Sequence, residues 1–246
     1  MLDSNNHVHR HRSFASTRIM TDLVIFDCDG VLVDSEGIGN AVLAQAATRE
    51  GAAISAEEAL HLFRGLKMAE CVVEIERRSG RRVREDFVVD LRQAMAVAFE
   101  TELRAVAGIR EALAAITLPF CVASNGPMSK MTHTLGLTGL LDRFEGRLFS
   151  AYDVGAWKPD PGLFQHAART FDVEPSRCIV VEDSLSGIRA ANAAGMRVLG
   201  YTAGDARAVS ELGAECAELF HSMDELPALL FQGVDQRGAT FGLTRV

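Results

Sequence analysis

Residues 21 to 36 read Thr21-Asp22-Leu23-Val24-Ile25-Phe26-Asp27-Cys28-Asp29-Gly30-Val31-Leu32-Val33-Asp34-Ser35-Glu36, and the fold is decided here. The unbroken apolar run Leu23 to Phe26 suits a parallel strand covered on both faces, and Asp27 ends it abruptly. Carboxyl ends of parallel strands line the crevice where ligands bind, so an acid at that point is placed for chemistry rather than packing. The strand period sends Asp27 and Asp29 to one side and Cys28 to the other. Two carboxylates in one small site cannot both ionise cheaply without a cation between them. The pair therefore predicts a bound metal, a protonated acid, or both. Gly30 lets the backbone turn sharply beside a ligand. Asp-x-Asp-Gly also occurs in solvated turns, so the stretch takes its meaning from the rest of the chain.

Downstream of Glu36 the periodicity is helical, over roughly 36–50, 56–64, 67–79 and 84–104. In the last of these Phe87, Leu91, Met95, Ala98, Phe99 and Leu103 recur at three- and four-residue steps and form one apolar stripe. No strand pattern interrupts this region. From Gly108 the chain alternates: helix 108–116, strand 119–123, helix 127–136, strand 147–150, helix 161–171, strand 178–182, helix 185–194, strand 197–201, then a weaker helix-and-strand tail. Alternation of this kind means a parallel sheet with right-handed crossovers. Asp160 before Pro161 fits an N-cap followed by the first helical residue, and Gly195 sits where a helix ending at Ala194 needs a left-handed residue.

The expected fold is α/β: a doubly wound, Rossmann-like parallel sheet over 21–35 and 106–230, with a small all-helical cap over 36–105 inserted after the first strand. Residues 1–20, rich in His and Arg without apolar period, read as a disordered leader, and 231–246 as a loosely attached tail. At 246 residues the chain can bury a sizeable core. A net charge of −8 argues against a nucleic-acid or membrane-surface partner. The five cysteines are scattered, with no C-x-x-C spacing, so neither a disulfide framework nor a zinc site is indicated. No apolar run spans a bilayer and no signal-peptide core is seen, which points to the cytoplasm. The expected assembly is a monomer or small homo-oligomer.

Three further polar clusters fall where strands end. Ser124-Asn125-Gly126 precedes a helix, where a hydroxyl and free backbone N–H groups can cradle phosphate, although a plain N-cap serine looks the same. Lys158 lies in Trp157-Lys158-Pro159-Asp160-Pro161, its backbone restricted by the following proline. A fixed ammonium there could neutralise a phosphate among carboxylates. Glu182-Asp183 follows the apolar strand Cys178 to Val181, and hard oxygen ligands of this kind suit Mg²⁺. Acids at a helix start also serve the dipole, so each cluster is ambiguous by itself. Their joint occurrence in one alternating chain is what carries weight.

Together with Phe26 to Ser35, these clusters resemble the four ordered motifs of the haloacid dehalogenase superfamily, and the helical insertion resembles the small cap of its β-phosphoglucomutase-like branch. The resemblance runs over about 20–230. It also takes in Phe63-Arg64-Gly65-Leu66-Lys67 and the run Ser124 to Met131. It implies that Asp27 is a nucleophile forming an aspartyl-phosphate and that Asp29 is an acid and then a base. Ser124, with Asn125 and Gly126, and Lys158 would hold the phosphoryl group. Mg²⁺ would be held by Asp27, Asp183, the Asp29 carbonyl and Glu182, directly or through water. The implied activity is a phosphatase for a small phosphate ester, a sugar or sugar-acid phosphate such as 6-phosphogluconate. Arg64 and Lys67 of the cap are candidates for reading a negative leaving group. One rival is a mutase, but mutases of that branch carry a histidine at the position of Gly39. A dehalogenase would lack the second acid. A phospho-acceptor signalling module would lack the cap. His61, His133, His166 and His221 read as structural or surface residues.

Overall fold

The computed structural model describes residues 21–63 and 66–231. The expected leader, Arg64 and the tail from 232 onward therefore lie outside the described residues. Strand β1 (Leu23–Phe26) is followed by four helices, α1 (Glu36–Arg49), α2 (Ala56–Leu62), α3 (Met68–Ser79) and α4 (Phe87–Glu102). The alternating part comprises α5 (Ile109–Ala115), β2 (Phe120–Ser124), α6 (Met128–Leu137), β3 (Leu148–Ser150), α7 (Ala151–Val154), α8 (Gly162–Thr170), β4 (Cys178–Glu182), α9 (Leu185–Ala193), β5 (Arg197–Tyr201), α10 (Ala206–Leu212), β6 (Leu219–Phe220) and α11 (Leu226–Phe231).

The six strands pair in the order β3-β2-β1-β4-β5-β6, and every pairing is parallel. Both neighbours of β1 are joined to it by distant chain, so the strand order reverses across β1 and β4. A crevice opens at such a reversal. The apolar run of β1 divides as its period demands. Val24 and Phe26 enter one core layer with Ile109, Leu113, Met131, Leu135 and Leu226, while Leu23 and Ile25 enter the other with Leu163, Phe164, Ile188 and Ala191. Both faces of the sheet are thus covered by helices, as the unbroken apolar strand required.

Helices α1 to α4 build a third core of their own from Leu43, Ala47, Ala59, Cys71, Ile75, Phe87 and Leu91, which is the expected helical cap. The apolar stripe of α4 serves two layers. Its first half packs inside the cap, while Phe99 and the following Leu103 join the layer over β1. Met95, between them, touches both, so α4 is the rod on which the cap is mounted. Two local expectations shift. The N-cap of α8 is Pro161 (φ −70°, ψ −13°) and the helix begins at Gly162. Asp160 nevertheless caps as expected, its carboxylate accepting from the Gly162 N–H at 2.7 Å across Pro161, which has no N–H to be capped. The short helix α7, absent from the pattern, is nucleated by Ser150, whose Oγ accepts from the Tyr152 N–H at 3.2 Å. Gly195 adopts φ +74°, as its place after α9 called for.

Candidate active site

Four chain segments meet at the carboxyl rim of β1, β2 and β4, around a cavity of about 500 Å³ between core and cap. Asp27 leaves the end of β1, its N–H donating to the Val181 carbonyl at 2.9 Å, so the sheet ladder itself fixes the start of the loop. Glu182 ends β4 and is fully buried. Lys158, 3% exposed, reaches in from the loop after α7 and donates from Nζ to Asp27 Oδ1 at 2.5 Å and to Glu182 Oε1 at 2.6 Å. Asp183 follows beside Gly30, where a Cβ would come within 2.1 Å of Asp183 Oδ2. With φ +80°, Gly30 both makes the turn and leaves room for that carboxylate.

Burial pushes the Asp27 carboxyl up to about 7, with the Glu182 and Asp29 charges adding to the effect and Lys158 opposing it. For Lys158 the balance is reversed. Burial alone would lower it, but the charges of Asp27 and Glu182 hold the ammonium above its ordinary value. The other oxygen of Glu182 accepts from the Ser184 N–H and from Ser184 Oγ, each at 2.9 Å, and Ser184 Oγ accepts from the Gly187 N–H at 3.1 Å as the N-cap of α9. Glu182 is therefore held on both sides, and its main visible task is to steady Lys158.

Asp29 lies on the same cavity as Asp27, while Cys28 is buried in the core layer, as the strand period predicts. What the sequence reading missed is the partner of Asp29. Lys130, in the first turn of α6, donates from Nζ to both oxygens of Asp29 at 2.8 Å, and Ser35 donates to Oδ1. Burial would raise the Asp29 carboxyl, but Lys130 and Ser35 hold it below its usual range. A signal was present. A lysine in a first helical turn opposes the macrodipole, and an amino acid placed against a local preference implies a tertiary partner.

Ser124 ends β2 and is not an N-cap, since Pro127 holds that position before α6. Its Oγ accepts from the Gly126 N–H at 3.0 Å, which leaves its own O–H to donate into the cavity. Asn125 lines the cavity but spends its amide on Lys158, accepting from the Lys158 N–H at 2.9 Å and donating to the Lys158 carbonyl at 3.3 Å. Gly126 is anchored through its carbonyl, which accepts from Ser150 Oγ at 2.7 Å. From the cap, Lys67 lines the cavity, whereas Arg64 lies outside the described residues. His133, read above as structural or surface, lines the cavity too, its Nε2 donating to the Ala96 carbonyl of α4 at 3.4 Å. His166 packs on Phe149 and His221 bonds Thr202, in keeping with structural roles.

The donor set suits a hard divalent cation. Oxygens of Asp27, Glu182 and Asp183 lie within 4.8 Å of one another, all three residues are buried, and Lys158 is ion-paired to both Asp27 and Glu182. The Asp29 carboxylate is not in this group, being held by Lys130. Among the described residues no helix is long and apolar enough to cross a membrane.

An inserted helical cap over a reversed parallel sheet, with an acid pair, a serine, a lysine and a second acid pair in that order, defines a class of enzyme. Residues 21–195 match the haloacid dehalogenase-like hydrolase family, and the chain belongs to it. Among individual proteins, the 6-phosphogluconate phosphatase of Escherichia coli K12 is 38% identical over 183 residues, 74% of this chain and 83% of that protein. Hexitol phosphatase B of the same organism is 31% identical over 189 residues, 74% of this chain and 84% of its own length. A conserved haloacid dehalogenase-like protein of unknown function from Agrobacterium tumefaciens shares the fold with a TM-score of 0.74 and 34% identity, covering 85% of this chain and 97% of its own.

Proposed function

We propose that this hydrolase is a Mg²⁺-dependent phosphatase for a small phosphorylated sugar or sugar acid, with 6-phosphogluconate the leading candidate, working through an aspartyl-phosphate on Asp27. The observation that carries the reading is the buried Lys158 bridging Asp27 and Glu182 beside Ser124 and Asp183, because it assembles a nucleophile, its counter-charge and hard metal ligands in one cavity. The relative's name supports the substrate class.

Lys158 occupies one oxygen of Asp27, which leaves the other to attack phosphorus in line with the ester bond. The Asp27 O–P bond forms as the P–O ester bond breaks. The Ser124 O–H and the Lys158 ammonium take hold of the phosphoryl oxygens, where charge accumulates. The departing alkoxide takes its proton from the Asp29–Lys130 pair. The pair, now one proton short, takes a proton back from the water that cleaves the aspartyl-phosphate, releasing inorganic phosphate and restoring both Asp27 and the pair. In this scheme Asp29 does not act alone, and Lys130 holds it in the form that serves as a base. Asp27 and Asp183, with the Asp29 carbonyl and with Glu182 behind them, would hold the cation, and magnesium there supplies a Lewis acid toward the phosphoryl oxygens.

Transfer to a second hydroxyl, as in a mutase, is disfavoured because Gly39 faces the cavity without an imidazole. Phosphate release measured across a panel of phosphorylated metabolites tests the proposal. Release that requires Mg²⁺ and is greatest for sugar-acid or sugar phosphates is expected. Silence across the panel, or turnover indifferent to chelator, contradicts it.

A further inference from the structure

The four cations that meet the cavity from described core and cap residues divide into two kinds. Lys158 and Lys130 are bound to carboxylates. Arg92 of α4 and Lys67 at the start of α3 are different, since among the described residues neither meets a carboxylate at ion-pair distance. Arg92 Nη2 donates to the Tyr152 hydroxyl at 3.0 Å, with its guanidinium 5.6 Å from the centre of that ring. The Lys67 ammonium lies 5.5 Å from the centre of the Trp157 ring. Tyr152 and Trp157 themselves meet edge to face at 5.5 Å, so the cap cations rest on one aromatic corner of the core. All four residues line the cavity.

In a chain with 33 acidic and 25 basic residues, two cations that share a cavity wall and lack an acid between them are a specific arrangement. The aromatic faces steer the side chains without neutralising them. A guanidinium fixed through one nitrogen still offers the rest of its planar fork, which matches a carboxylate in bidentate geometry. The floor of the cavity, crowded with acids, suits a cation and a phosphoryl group. The corner where Arg92 and Lys67 meet the two rings suits an anion.

We propose that Arg92, oriented by Tyr152 and assisted by Lys67, binds a carboxylate at the far end of the leaving group and so makes the enzyme selective for phosphorylated sugar acids over the matching polyols. This rests on the phosphatase reading above and deepens it. Because the two cations belong to the cap and the two rings to the core, the same carboxylate would also draw the cap onto the core over a correct substrate.

The test compares kcat/KM for 6-phosphogluconate and glucitol 6-phosphate, which differ only in a carboxylate against a hydroxymethyl group, using the full chain with Mg²⁺. Arg92→Met is expected to lower the acid-to-polyol ratio about 30-fold, mainly through KM on the acid, as loss of a charged hydrogen-bond partner predicts. Arg92→Lys should recover part of that ratio, and Tyr152→Phe should lower it by about threefold, having kept the ring but lost the orienting hydroxyl. A contact that merely clasps the cap lowers both substrates by one factor and leaves the ratio fixed, which overturns the inference while leaving the phosphatase reading intact. A wild-type preference for the polyol overturns it in the same way. Failure of the wild type to release phosphate from any ester removes the phosphatase reading and this inference together.

Discussion

Asn125 shows how much of the site's precision is held by side chains that need never touch a substrate. Its amide clamps the N–H and the carbonyl of Lys158, and Lys158 in turn is the only ammonium shared by Asp27 and Glu182 among the described residues. Asn125→Ala removes both bonds, each worth about 1 kcal/mol. A modest loss of stability is expected with a fall in kcat of about tenfold to a hundredfold, because small misplacements of a charge-stabilising group are costly. Steady-state kinetics beside thermal melts would show it, and an unchanged kcat would mean Lys158 holds its place without the clamp. Gly30 is constrained more sharply. At φ +80° and with Asp183 Oδ2 only 2.1 Å from where a Cβ would stand, Gly30→Ala must strain the backbone and displace Asp183. A loss of about 1–3 kcal/mol in a denaturant melt, accompanied by weaker Mg²⁺ binding in calorimetry, is the expected result. Native stability and Mg²⁺ affinity together would contradict it.

At the scale of elements, strands were the most legible part. β1, β4 and β5 span the residues that the sequence indicates, because each is a short apolar run closed by a polar residue at a buried rim. Asp27, Asp29, Ser124, Lys158, Glu182 and Asp183 could be found for the same reason, being written beside their strand or turn. Lys130 and Arg92 could not be assigned this way. Their partners lie 101 and 60 residues away in sequence, and no local pattern encodes which helix face will meet which loop. The start of α8 lies one residue later than indicated, although Asp160 caps it across Pro161, whose dihedrals are already helical. Ser184 joins element and site, capping α9 through Gly187 while bonding Glu182. Ser184→Ala should therefore cost about 1–2 kcal/mol in a chemical melt, beyond a surface cap alone, since it also releases a buried carboxylate. A change near zero would show that Glu182 finds another donor.

For the whole molecule, one sheet reversal and one inserted cap bring acids and ammonium groups into a single cavity, where oxygens of Asp27, Glu182 and Asp183 crowd within 4.8 Å of one another. Burial raises Asp27 to about 7, so below that pH its proton competes with a cation for the same oxygen. Apparent Mg²⁺ affinity should be nearly level above that pH and should weaken by up to about tenfold per unit as pH falls below it. Calorimetric titration from about pH 8 to about pH 6 would detect this, and a flat profile would mean Asp27 does not bind the cation. The cap adds the second polarity, placing Arg92 and Lys67 against core aromatics on the cavity wall.

In the proposed reaction Asp27 itself receives the phosphoryl group. Acid-quenching the protein within its first turnovers on a hydrolysed sugar phosphate, followed by mass analysis of its peptides, tests this most directly. One added phosphoryl group on the peptide containing Asp27, absent from Asp27→Asn, is the predicted result. A phosphorylated peptide elsewhere, or an Asp27→Asn protein that turns over at the wild-type rate, would contradict the account.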